Sequence, residues 1–234
     1  MASFVEYVVT ELRNKRITKS EALAMIRRFS SHPEPAATAA ARPAVLHPLV
    51  HENVSDLGRQ AFRSTFAGDE PFLSDHKVRM GDTLERVLPG VAYLEMARAA
   101  VAAAMPDGSR TPVLELRDCV WLQPLVVRGT QSAMVGLNGA PGGEIGFEVW
   151  TESEGQRRVH SEGRAAYVDE AAPDALPVAT LRERMQSGML TASAAYAQFE
   201  ENGLAYGPAH RALEAAWLGD GELLARLTLP ASVS

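Results

Sequence analysis

The sequence has a single cysteine, no long apolar run and no excess of basic charge. Cys119 alone allows neither an internal disulfide nor a thiolate zinc cluster. No stretch reaches the ~18 apolar residues of a membrane-spanning helix. The chain holds 23 Lys and Arg against 29 Asp and Glu, for a net charge of -6. A nucleic-acid binder normally carries a basic patch or stripe, so that class is not expected. The opening MASFVEYVVTELRNKR has acidic residues early and no apolar core ending in a small-residue cleavage site. It does not read as a secretory signal, and a cytoplasmic protein is expected. What is present suffices for a globular core: 46% of the 234 residues are hydrophobic, enough for one large domain or two small ones.

Residues 1–31 read as a helical extension of two short amphipathic helices. Phe4, Val5, Val8, Val9 and Leu12 recur at helical spacing, and Thr18 with Glu21 forms a capping box for the second helix. Helices this short need another surface to bury their apolar faces. Basic residues outnumber acidic ones here, the reverse of the whole chain. The Ala- and Pro-rich stretch within 32–44 reads as a linker.

Residues 45–170 are mostly β with one conspicuous helix. QAFRSTF at 60–66 alternates as a strand does. GVAYLEMARAAVAAAM at 90–105 has only Glu95 and Arg98 as charged residues, which predicts a buried helix. Strand candidates PVLELRDCVWLQPLVV, QSAMVGLN, EIGFEVWTES and RRVHSEGRAAYV follow, with a tight GAPGG turn between the second and third. One long apolar helix with a curved antiparallel sheet around it is an α+β hot-dog fold. Residues 171–188 read as a second linker. Residues 189–234 read as the start of a second, truncated hot-dog half. They hold a helix-like ASAAYAQFEENG, then ALEAAWLG and ELLARLTL divided by the hairpin signal Asp220-Gly221.

The stretch richest in chemistry is PFLSDHKVRMGDTLERVLPGVAYLEMARAA, residues 71–100. It sets His76 ahead of a loop and then Pro89-Gly90 at the start of the buried helix. A helix N-terminus offers unpaired N–H groups and partial positive charge, suited to a developing oxyanion. Glycine there lets a substrate approach the backbone, and a histidine near pKa ~6.5 can take a proton at neutral pH. Other histidines fit this chemistry less well. His47 and His51 form H-x-x-x-H, but Pro48 pushes His47 to an extended conformation, so no metal pair is expected. GAPGGEIG lacks the Lys-Ser/Thr of a phosphate loop and reads as a hairpin turn. Cys119 is expected to be buried and inert in an apolar strand.

These residues resemble the signature of polyketide synthase dehydratase domains, H-x-x-x-G-x-x-x-x-P. HPLV at 47–50, PFLSDH at 71–76, LPGVAYLEMA at 88–97, WLQPL at 121–125 and GLAYGPAHRALEAAW at 203–217 extend the resemblance. Here the signature reads H-x-x-x-x-G-x-x-x-x-x-x-x-P, with the extra residues expected in a DTLER loop or next to it and Gly81 displaced from the pattern's glycine. The resemblance implies a β-hydroxyacyl thioester held on the phosphopantetheine of an acyl carrier protein, with no bound metal or other cofactor. It implies His76 as general base, Pro89, Gly90 and Val91 at the oxyanion site, and Tyr206, Gly207 and Pro208 lining the pocket, with His210 beside them. The acid, an Asp in a D-x-x-x-Q/H segment after Tyr206-Gly207-Pro208, is missing. Asp220 lies in an apparent turn and is not assigned that role. Double hot-dog isomerases, cyclases and branching domains share the fold and are the alternatives, as is a non-catalytic interaction fragment. Residues 3–31 resemble two-helix docking elements of synthases whose acyltransferase acts in trans, which implies an upstream synthase polypeptide as partner. A homodimer is left open.

Overall fold

The computed structural model describes residues 45–105, 113–171 and 173–233, together with Arg13, Thr18 and Ser20. Apart from those three, the helices expected over 3–31 and the linker at 32–44 lie outside the described residues. Residues 44–234 form one unit of the chain.

Strands β1 (Glu52–Asn53) and β2 (Gln60–Phe66) open the main sheet. Alternation in β2 buries Phe62, Ser64 and Phe66 and leaves Arg63 and Thr65 outside. A one-turn helix α1 (Pro71–Ser74) leads into the hairpin of β3 (His76–Met80) and β4 (Thr83–Arg86). The central helix α2 (Gly90–Ala104) follows. Strands β5 (Val113–Trp121), β6 (Gln131–Gly139), β7 (Ile145–Ser153) and β8 (Gln156–Val168) complete a six-stranded antiparallel sheet in the order β1-β2-β6-β7-β8-β5.

Helix α2 forms because its sequence is rich in alanine, the best helix former. Pro89 precedes it in an extended conformation, φ -56° and ψ 141°. Tyr93, Met96, Ala97, Ala100 and Val101 fall on one face and are buried against Phe62, Val135, Phe147, Val149 and Ala165 of the sheet. Glu95 and Arg98, the two charged residues, pair with each other on the opposite side. The Tyr93 hydroxyl accepts the N–H of Leu125 at 3.0 Å, and burial pushes its pKa up to about 12. Gly163 is needed for space: a Cβ there would stand 2.7 Å from the Phe147 ring.

After the main sheet come α3 (Val178–Arg184), β9 (Gly188–Thr191), α4 (Ala192–Glu201), β10 (Leu204–Tyr206), β11 (Leu213–Leu218) and β12 (Leu223–Leu227). Strands β9, β11 and β12 make a three-stranded antiparallel sheet with β11 in the middle, and α4 packs on β9 and β11. Helix α4 is capped by Thr191, whose hydroxyl accepts the N–H of Ala194. Strand β10 leaves this group and pairs with β3, so β3 runs between β4 and β10.

Three expectations need correction. The DTLER segment is not a loop, because Thr83–Arg86 pairs with Lys77–Met80 across a two-residue turn. Gly81 at that turn has φ +64°, a conformation that favours glycine. The stretch 171–188 is not all linker, since α3 occupies 178–184. Cys119 is only partly buried; it lies near a bulge in β5 where Asp118 takes φ +48°. Burial does raise its thiol pKa.

Full burial of a side chain such as Met96, which exposes no surface, stabilises by ~1.5–3 kcal/mol. Met96→Ala should therefore lower the unfolding free energy by about 2–5 kcal/mol in urea titrations. Leu57→Ala, at a fully exposed position, should stay within about 0.5 kcal/mol of the parent.

Candidate active site

His76 is the first residue of β3, placed there by α1 and by Asp75, whose N–H closes the helix on the Pro71 carbonyl. The ring is half-buried. Its Nδ1 lies 2.8 Å from the carbonyl oxygen of Val87, and the Val87 N–H returns to the His76 carbonyl at 3.2 Å. A carbonyl only accepts, so Nδ1 carries the hydrogen and the lone pair sits on Nε2. Burial lowers the His76 pKa below its ordinary value. The Val87 carbonyl opposes this, and the nearby charge of His210 adds to the lowering.

Two further rings stand over His76. Tyr206 is its partner across the β3–β10 ladder, with ring centroids 5.5 Å apart. The His210 ring is 5.3 Å from His76 and stacks on Tyr206 at 5.7 Å with an interplanar angle of 20°. Pro208 starts the short 3-10 turn that brings His210 back, and His210 Nε2 donates to the Phe72 carbonyl at 3.3 Å. Tyr196 of α4 supports the turn: its hydroxyl donates to the His210 carbonyl and accepts the N–H of Leu213. Phe199 packs edge-on against Tyr206. Tyr206 has its pKa raised, first by burial and then by Tyr196.

Val87 leads directly to the start of α2. Leu88 donates its N–H to the Leu125 carbonyl, and Pro89 accepts that of Ala92. The N–H groups of Gly90 and Val91 have no acceptor within the helix, as the first turn requires. Both residues are exposed, Val91 by 72%. The Trp121 indole N–H donates to the Gly90 carbonyl at 2.9 Å, tying the end of β5 to the helix start.

The expected site residues thus fall into two groups, His76 with Tyr206, Gly207 and Pro208, and Pro89 with Gly90 and Val91. The segment from Val87 to Pro89 links them. His47 and His51 do not act together: His47 meets Glu95 and the N–H of Leu49, while His51 meets Pro48 and Thr65. Among the described residues no three His, Cys, Asp or Glu gather as metal ligands. Sequence reasoning did not single out Val87, Asp75, Trp121 or His160. His160 is buried beside a cleft of about 590 Å³, with Nδ1 on the Gln123 carbonyl and Nε2 on the Thr151 hydroxyl. Burial lowers its pKa too.

The layout is that of a hot-dog protein with a histidine at the edge of its helix-bearing half. Residues 47–152 match the model described as polyketide synthase dehydratase domain, and 173–234 the one described as polyketide synthase dehydratase N-terminal domain. The chain belongs to the polyketide synthase dehydratase family. Polyketide synthase PksM of Bacillus subtilis (strain 168) is 38% identical over 193 residues, which cover 80% of this chain and 4% of that protein. Polyketide synthase ThaG of Burkholderia thailandensis is 36% identical over 185 residues, covering 78% of this chain and 3% of its own length. A crystal structure of a trans-AT polyketide synthase dehydratase domain from Brevibacillus brevis superposes with a TM-score of 0.77 at 38% identity, covering 82% of this chain and 67% of that one. The dehydratase domain of RzxB from Pseudomonas fluorescens gives 0.66 at 29% identity, with 79% and 66% covered. No helix among the described residues is long and apolar enough to cross a membrane.

Both His76 and His160 should titrate below the ordinary histidine value of ~6.5 in ring NMR spectra. With folded-state pKa values depressed, the unfolded chain binds more protons just below pH ~6.5. Stability should therefore be full above that value and fall as pH drops through the depressed pKa values. Urea titrations at stepped pH check the slope.

Proposed function

We propose that this chain carries the base-bearing part of a dehydratase that removes water from a β-hydroxyacyl thioester on the phosphopantetheine arm of an acyl carrier protein. The observation that carries the reading is the 2.8 Å contact of His76 Nδ1 with the Val87 carbonyl, which sets the tautomer. With Nδ1–H committed to Val87, the Nε2 lone pair is free to accept a proton, and burial, which lowers the pKa, favours the neutral ring. His76 Nε2 takes the α-proton, made acidic by the thioester carbonyl. The unpaired N–H groups of Gly90 and Val91 and the positive end of α2 stabilise the oxygen as negative charge builds there. Tyr206, Gly207 and Pro208 line the pocket over the base. The β-hydroxyl then leaves as water once it is protonated by a carboxylic acid. After Tyr206 the sequence has one aspartate, Asp220, and it sits in the β11–β12 turn beside Gly221, φ +67°. Asp220 is therefore not assigned as the acid. Residues 3–31 are proposed as the contact to an upstream synthase polypeptide.

In a dehydration-competent polypeptide containing this chain, His76→Ala should slow water loss about 10²–10⁴-fold, while His47→Ala and His51→Ala leave the rate unchanged. Mass spectrometry of the carrier-bound substrate follows water loss and α-deuterium uptake separately. The 234-residue chain alone should take up deuterium yet lose water slowly. Full-rate water loss by the chain alone would place the acid within it.

Removing residues 1–34 should abolish binding to the C-terminus of the upstream polypeptide and leave the thermal transition of the rest unchanged. A deletion that unfolds the domain would assign the segment to the core instead.

A further inference from the structure

Asp75 lies between α1 and β3, one residue ahead of His76, and grips the Tyr-Gly-Pro segment at two points. Its backbone carbonyl accepts the N–H of Gly207 at 2.8 Å, and its carboxylate accepts the N–H of Ala209 at 2.7 Å. Between these bonds the carboxylate fills the space that a side chain at 207 would need. A Cβ on Gly207 would stand 2.4 Å from both Asp75 Cγ and Oδ1, and 2.8 Å from Asp75 Cβ. The backbone of Gly207, φ -81° and ψ -178°, is one any residue adopts. Glycine is required there for room, not for conformation.

The two bonds bracket Pro208. On one side of them Tyr206 pairs with His76, and on the other the 3-10 turn delivers His210 to its ring. The geometry points to Asp75 as a positioning residue: its carboxylate, seated in the space Gly207 leaves, sets where Tyr206 and His210 stand over His76. Its importance for turnover rests on the reading of His76 as the base. A carboxylate suits the task because a charge-assisted bond to a backbone N–H is shorter and stronger than a neutral one. An alanine would free the Ala209 N–H and empty the part of the space beside Gly207 that the carboxylate fills, leaving only Cβ there.

The test uses the 234-residue chain with isotope-labelled histidine, in NMR spectra taken well above the ordinary histidine pKa. The ring signals of His76 and His210 report their placement against Tyr206, and His160, remote from the segment, is the internal control. Asp75→Ala should shift the His76 and His210 signals and leave His160 in place. Asp75→Asn, which keeps an acceptor oxygen, should restore the parent spectrum. Gly207→Ala should displace the same two signals, and by less in the Asp75→Ala background, where the contacts with Cγ and Oδ1 are gone and only that with Cβ remains. Uptake of deuterium at the α-carbon should fall about 10- to 100-fold in Asp75→Ala, the scale of loss from slight misplacement of reacting groups, and recover in Asp75→Asn.

A carboxylate that merely stabilised the fold would lower the thermal transition of Asp75→Ala without moving the two ring signals, and that result overturns the proposal. Independent, additive effects of Gly207→Ala and Asp75→Ala overturn it as well. If Asp75→Ala does not fold, Gly207→Ala alone must still move both rings, and unchanged rings there sink the idea. A parent chain with no deuterium uptake would count against His76 as base, while the ring spectra would still decide the role of Asp75.

Discussion

The hydrogen bond from His76 Nδ1 to the Val87 carbonyl fixes what the imidazole can do. It joins two residues eleven apart, so it exists only while the intervening chain folds back in register. That register is held from both sides. Lys77 faces Arg86 in the hairpin, and Val87 itself bridges to Val126, with Val127 and Leu88 bonded across the same seam. The acceptor is therefore a rigid part of the sheet and not a mobile loop. Once Nδ1 is committed, the ring cannot rotate to present the other nitrogen without leaving a buried donor unpaired. The packing that enforces this orientation also withholds water from the ring. Tautomer and basicity thus have one origin.

Strand β3 is the member shared by the two groups of elements. On one edge it meets β4, whose chain continues into the central helix; on the other it meets β10, whose chain continues into the aromatic cover. Neither α2 nor the small β9-β11-β12 sheet touches the histidine through its own core. Each reaches it through a short peripheral strand. Packing therefore supplies rigidity, while strand register supplies placement. The Tyr196 hydroxyl shows the same division: it ties helix α4 to the His210 turn and to the start of β11 through one atom.

The central helix was legible because its fifteen residues are alanine-rich and its apolar positions recur at helical spacing. The sheet was legible from alternation, as in QAFRSTF, where the pattern follows burial nearly residue by residue. Helix α3 was missed for a physical reason: it buries no residue, so it has no apolar stripe to read. Strand β4 was missed similarly, since TLER exposes most of its side chains and its only cue was the Gly81-Asp82 turn. At the site, His76 stood out by its neighbours. Val87 could not, because it contributes a carbonyl that every residue possesses. Asp75 was in view within PFLSDH, but the amide it binds lies 134 positions away, beyond any local pattern.

The β3–β4 hairpin has a further consequence for how this chain relates to its family. Its segment from His76 to Pro89 is four residues longer than the signature it resembles, and those residues are absorbed in a regular two-stranded ladder. Such a ladder lengthens by whole rungs, one residue added to each strand. Rungs added at the turn leave the base of the ladder in its register, so the residues there keep their faces. Residues added near the turn move Gly81 and Asp82 outward, while at the base the histidine still meets its carbonyl. The tip of this hairpin can thus change length without disturbing the base that holds the imidazole.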